Sequence, residues 1–124
     1  MLCNLVSRAC LIGAVLAWAT RATIIGAGAA EVAFDLHIER GRVAESMSVI
    51  RVKQGDVVRL RWSTDRSIIL HLHGYDIEKQ IEPDTVGLME FVAHATGRFP
   101  VEVHGGPGAH SHGEAPLVRI EVYP

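Results

Sequence analysis

From Glu31 onward apolar residues recur at every second position, and no stretch of ten or more residues keeps a helical period. That alternation constrains the fold more than any other feature. Successive side chains of a strand point to opposite faces, so each such segment has one dry side and one wet side. "VAFDLHIE" sets Phe34, Leu36 and Ile38 against Asp35, His37 and Glu39. "MSVIRVKQGDVVRLRWS" reads as two strands joined at Gln54-Gly55-Asp56, with Val58, Leu60 and Trp62 opposing Arg59 and Arg61. "SIILHLHGYDIE" reads as one further run, followed by "GLMEFVAH", "GRFPVEVH" and "PLVRIEVYP". Turn formers separate the runs at Asp65, Pro83-Asp84, Gly97 and Gly105-Gly106-Pro107-Gly108. Short alternating strands punctuated about every 8 to 12 residues predict an all-β sandwich or barrel, here a single domain over 31–124 with no internal repeat.

The first thirty residues follow a different rule. Arg8 closes a short n-region, "ACLIGAVLAWA" is an apolar run of signal-peptide rather than membrane-span length, and Ala27-Gly28-Ala29 offers a small-x-small cleavage site. Residues 1–30 are therefore expected to be a secretory signal cut after Ala29 or Ala30, with an uncleaved anchor as the alternative. Both cysteines, Cys3 and Cys10, fall inside it. The exported domain has no disulfide to staple it and no thiolate to serve as nucleophile or metal ligand, so its fold must rest on its hydrophobic core. Removing Arg8 and Arg21 from the 12 basic residues leaves ten against 14 acidic ones, a net charge of about −4. That sign argues against a nucleic acid or an anionic membrane surface as partner.

The histidines carry the chemistry. Of seven, His37 and His94 stand singly in separate strands and read as surface or packing residues. The other five gather in two places. His71 and His73 alternate at the end of one strand, while His104, His110 and His112 lie in "VHGGPGAHSHGE" before the last strand. Imidazole is the commonest metal ligand, the two-residue spacing lets each pair point one way, and a Gly-rich loop can wrap an ion. Glu114 is a further donor or an acceptor for an imidazole N–H. The plain reading of the same loop is a solvated tip. His71 shares a face with Ile69 and His73, and Ile68, Leu70 and Leu72 form the other face. Two apolar faces fit a strand buried between two sheets, where His71 would orient His73 rather than ligate. Alternation also sets His104 opposite Val103, away from the core, so His104 is expected to join the site only if its strand ends or bulges before Gly105.

Three stretches resemble the cupredoxin-like family, and the resemblance covers nearly the whole of 31–124. "IRVKQGDVVRLRWSTD" resembles that family's early strand pair, and "HGYDI" resembles the segment that holds its first ligand histidine, as in the copper domains of nitrous oxide reductase and oxidase subunit II. "GRFPVEV", with Gly97, Phe99, Val101 and Val103, resembles the strand that leads into the ligand loop, and "LVRIEVYP" resembles the closing strand. The resemblance implies a Greek-key β-sandwich with His73 as a ligand and His110 or His112 near the family's second ligand histidine. It also exposes a departure: the family's ligand cysteine falls where this chain has Val103, and its methionine ligand near the loop end is missing. A blue or binuclear copper centre needs that thiolate.

What remains is an all-imidazole set, His71, His73, His104, His110 and His112, with a carboxylate at most. Such donors suit Cu(II) before Zn(II) and hold Cu(I) poorly. The expected function is a periplasmic copper-binding protein that sequesters Cu(II) or exchanges it with an envelope copper protein. One alternative is a metal-free interaction or assembly module on the same fold. Another is an enzyme, since "HLHGYD" faintly resembles the His-x-His strand of copper–zinc superoxide dismutase, although the chain is short for that family and lacks its disulfide. Nucleophilic catalysis has no support, because Ser111 lies in no strand–turn–helix elbow.

Overall fold

A computed structural model of the chain describes residues 28–105 and 115–124. The expected leader falls almost wholly outside these residues, as do His110, His112 and Glu114. The alternating segments form eight strands: β1 (Glu31–Ile38), β2 (Val49–Lys53), β3 (Val57–Thr64), β4 (Ile68–Leu72), β5 (Ile77–Ile81), β6 (Gly87–Val92), β7 (Gly97–His104) and β8 (Val118–Tyr123). A single 3-10 turn at Glu45–Met47 precedes β2. The strands make two sheets, β1-β3-β6 and β2-β8-β7-β4-β5, packed as the expected sandwich. No helix among the described residues is long and apolar enough to cross a membrane.

Period two dictates which residues meet. In the smaller sheet the pairs Phe34–Leu60, Leu36–Trp62, Val58–Phe91 and Leu60–Met89 place apolar side chains beside each other on one face. Trp62, Leu60 and Val58 are fully buried there. The opposite face of the same strands is ionic: Arg59 bridges Glu31 and Glu90, and Arg61 pairs with Asp35. The larger sheet supplies Ile50, Val52, Leu70, Leu72, Val101, Val118 and Ile120 to the common core. Burying each such side chain contributes about 2 kcal/mol, which makes the core the main stabilising term in the cysteine-free domain. The turn expected at Gln54-Gly55-Asp56 forms, with the Asp56 carboxylate accepting from the Lys53 N–H at 2.9 Å. It carries the chain from one sheet to the other, so β2 and β3 do not pair.

One run divides differently from the sequence expectation. "SIILHLHGYDIE" is not a single strand. It folds as β4, a four-residue turn His73–Asp76, and the start of β5, which hydrogen-bonds back along β4. Three residues explain the turn. Pro100 lies opposite His73 on β7. Its carbonyl accepts from the His73 N–H at 3.0 Å, but proline has no N–H to return the second bond of the pair. The β4–β7 ladder therefore ends there. Gly74 follows with φ +85, and a Cβ at that position would lie 2.8 Å from Cε1 of Phe99. Tyr75 then plugs the end of the sandwich, its ring 4.6 Å from Phe91 and 4.8 Å from both Phe99 and His94.

Gly74 thus meets two demands, a left-handed backbone and close approach of an aromatic ring. Gly74→Ala is expected to lower stability by about 1–3 kcal/mol, because the Phe99 ring cannot retreat without disturbing Tyr75. Thermal unfolding followed by far-UV circular dichroism measures the loss, and a melting temperature equal to wild type would contradict this account of the turn.

Candidate metal centre

The five-stranded sheet brings His71 and His73 of one expected group together with His104 of the other on its outer face. β4 and β7 run antiparallel, in a register that pairs Leu70 with Val103, His71 with Glu102 and Ile69 with His104. Leu70 is fully buried, and Val103 packs against the core beside it. Alternation therefore sends His71, Glu102 and His104 outward together. His73 continues the outward set as the first residue of the turn. One nitrogen from each of His71, His73 and His104 lies within 4.8 Å of the other two. The ring centroids are 4.2 Å apart for His71–His73, 4.8 Å for His71–His104 and 5.5 Å for His73–His104.

This arrangement corrects two expectations about β4 and β7. β4 is not sealed between two sheets, because its outer residues Ile69 and His71 are only half-buried. His104 needs no bulge or early strand end to reach the site. β7 runs in register through His104, and the reason is that His71 and His73 also face away from the core. Of the five expected ligand residues, the structure brings together His71, His73 and His104, and the remaining two lie outside the described residues. His37 and His94 stay apart from the cluster: His37 Nδ1 is 2.9 Å from Ser63 Oγ, and His94 packs edge-on against Tyr75.

Two carboxylates that the sequence did not single out border the triad. Glu102 Oε2 lies 2.9 Å from Nε2 of His73 and 3.8 Å from Nε2 of His104. Asp76, held at φ 54 in the β4–β5 turn, places Oδ1 3.5 Å from Nε2 of His71. The inner nitrogen of His71 has a different environment. Its Nδ1 is buried and has no hydrogen-bond partner among the described residues, the costly state for a polar atom. A cation shared with the neighbouring rings satisfies such an atom. Three nitrogen donors at this spacing, with oxygen donors beside them, can hold a metal ion such as copper.

A scan against family models and a search of curated proteins give no match. Solved structures do. A copper-binding protein determined in its apo form superposes with a TM-score of 0.58 at 9% identity, covering 75% of this chain and 88% of that one. A heme–copper terminal oxidase dimer gives 0.56 at 20%, over 80% and 68% of the two chains. The chain has the cupredoxin-like fold. A multicopper oxidase from Pseudomonas thermotolerans adds a TM-score of 0.55 at 18% identity, with this chain matching 30% of its length. Identities this low speak for the shared sandwich, and the donor set must be argued from this chain's own residues.

Within the cupredoxin-like sandwich, Val103 has its side chain on the core face, opposite the imidazoles. A thiolate at that position would face the core and not the triad. Val103→Cys is expected to create a core thiol that stays out of the triad. Cu(II) added to that variant should give none of the intense visible absorption of a copper–thiolate bond, and the appearance of such a band would overturn the assigned facing of β7.

Proposed function

We propose that this chain is a copper-binding protein of the cell envelope. It holds Cu(II) on imidazoles and sequesters it or exchanges it with an envelope copper protein. One observation carries the reading: three histidines on two neighbouring strands and the β4–β5 turn present nitrogens within 4.8 Å of one another, and one of those rings has a buried Nδ1 with no partner among the described residues. The cupredoxin-like neighbours, one of them named as a copper-binding protein, support it at the level of the fold. His71, His73 and His104 form the heart of the proposed site, and His110 and His112 are its proposed outer ligands from the loop that leaves β7 at His104. The N-terminal signal pattern supports export to the periplasm.

The donor chemistry separates holding from electron transfer. Imidazole and carboxylate favour Cu(II), and without a thiolate Cu(I) is held less well, so rapid cycling between the two states is disfavoured. Zn(II) accepts the same donors but binds such sites more weakly than Cu(II).

Titration of the purified protein with Cu(II) and Zn(II), read by electron spin resonance for nitrogen-coordinated copper, tests the proposal. The double variant His73→Ala/His104→Ala is expected to weaken Cu(II) binding by about 100-fold or more, since loss of residues that merely support ligands already costs about 10–100-fold. A separate His110→Ala/His112→Ala variant reads the share of the loop. Unchanged Cu(II) affinity in the first variant would sink the site, and no binding by the wild type would favour the metal-free interaction module.

A further inference from the structure

We infer that Glu102 is a metal ligand in this site, supplying the carboxylate oxygen of a three-imidazole, one-carboxylate set selective for the divalent ion. The inference rests on the proposed copper site and adds to it a residue from the middle of a strand.

The first argument is the company Glu102 keeps. Elsewhere on the sheet faces, paired carboxylates take arginine: Glu31 and Glu90 with Arg59, Asp35 with Arg61, Glu121 with Arg51 and Arg98. Among the described residues Glu102 has no lysine or arginine partner, and its charged-pair contacts are His73 and His104. A carboxylate facing imidazoles, with a third ring directly across the ladder at His71, lacks the lasting positive charge that arginine gives Glu31, Glu90, Asp35 and Glu121. A divalent cation supplies it.

The second argument is spacing. Donor atoms about 2.0–2.1 Å from one ion stand about 2.9 Å apart at neighbouring corners of a square and about 3.3 Å apart in a tetrahedron. Glu102 Oε2 is hydrogen-bonded to His73 Nε2 at 2.9 Å and lies 3.8 Å from His104 Nε2, both close to those edges. The three histidines alone already bring one donor each within 4.8 Å of one another, and Glu102 joins them by a small rotation of its half-exposed side chain. The third argument is mounting. Glu102 is fixed on β7, in register with His71 of β4, and shares its face with His104 two residues on, so it needs no loop movement to contribute. Asp76 also faces an imidazole, but it differs in reach and mounting: it sits on the turn, its side chain is fully exposed, and its oxygen is 3.5 Å from one ring only.

A hard, anionic oxygen strengthens binding of Cu(II) and does little for Cu(I). Glu102 therefore sets the oxidation-state preference of the site. Glu102→Gln keeps the side chain's length and a carbonyl that accepts a hydrogen bond from His73, so a residue that only oriented His73 would be largely replaced by glutamine. The expected result is a loss of Cu(II) affinity of about 100-fold or more, beyond that of a residue that merely supports a ligand, with Cu(I) affinity, measured against a competing chelator, changed less than about threefold. Metal-free melting temperatures compare the folds of the two proteins. A second measurement needs no stable variant: an infrared difference spectrum of wild type, Cu(II)-loaded minus metal-free, should show a carboxylate stretch shifted on binding, and Asp76→Asn should retain it. Equal Cu(II) affinity in Glu102→Gln, or no carboxylate shift in wild type, would overturn the inference while leaving the imidazole site standing. Loss of binding in neither Glu102→Gln nor the histidine double variant would remove both.

Discussion

The site depends on the register between β4 and β7. Leu70 against Val103 is an ordinary core pair, and Leu70 is wholly buried. Because that pair faces inward, His71 and Glu102 one position on must face outward, and with them His73 and His104. A slip of one residue would carry the imidazoles and the carboxylate into the core and expose Leu70 and Leu72. The cost of burying several unpaired polar groups makes that alternative far less stable. Hydrophobic packing on one side of the sheet thus does the positioning on the other. The histidines are brought together by leucine and valine, without any fold element of their own.

Much of this was legible from alternation alone. The strands, the Gln54-Gly55-Asp56 turn, the sandwich and the pairing of His71 with His73 on one face all follow from period two, which the structure obeys almost throughout. The division of "SIILHLHGYDIE" was not legible, because its apolar run continues past the turn: Ile77 resumes the pattern as though the strand had never stopped. Gly74 was the available signal, and Pro100, remote in sequence, completes it. His104 faces away from the core, as alternation requires, and still joins the cluster because the outer face of β4 is not a second buried face: Ile69 there is only half-buried. One exposed-side isoleucine next to imidazoles is a weak sign of burial.

Glu102 shows a different limit. In sequence it is one acid among 14, alternating with valines in "VEVH" as any strand acid would. Its significance lies in what stands across the ladder, and cross-strand neighbours are fixed by register, which a single sequence does not reveal. The absence of a nearby arginine is likewise a spatial fact. Only once β4 and β7 are aligned does the outward row of β7, Glu102 and His104, become the complement of the outward row of β4, His71 and His73.

The turn after β4 links the architecture to the chemistry. Pro100 ends the ladder, Gly74 admits the Phe99 ring, and Tyr75 fastens the turn to Phe91 and His94. His73 is the residue just before this fastening, with its backbone N–H still bonded to Pro100. Its ring is thereby held by the sheet on one side and by an aromatic anchor on the other, although it belongs to a turn. The "His-Gly-Tyr" order has a physical reading in these terms. The imidazole is the last outward side chain the ladder can fix, the glycine is the one residue that fits beneath Phe99, and the tyrosine closes the sandwich behind both. That order fixes His73 beside His71 and His104 without help from any residue on the core face, where Val103 packs.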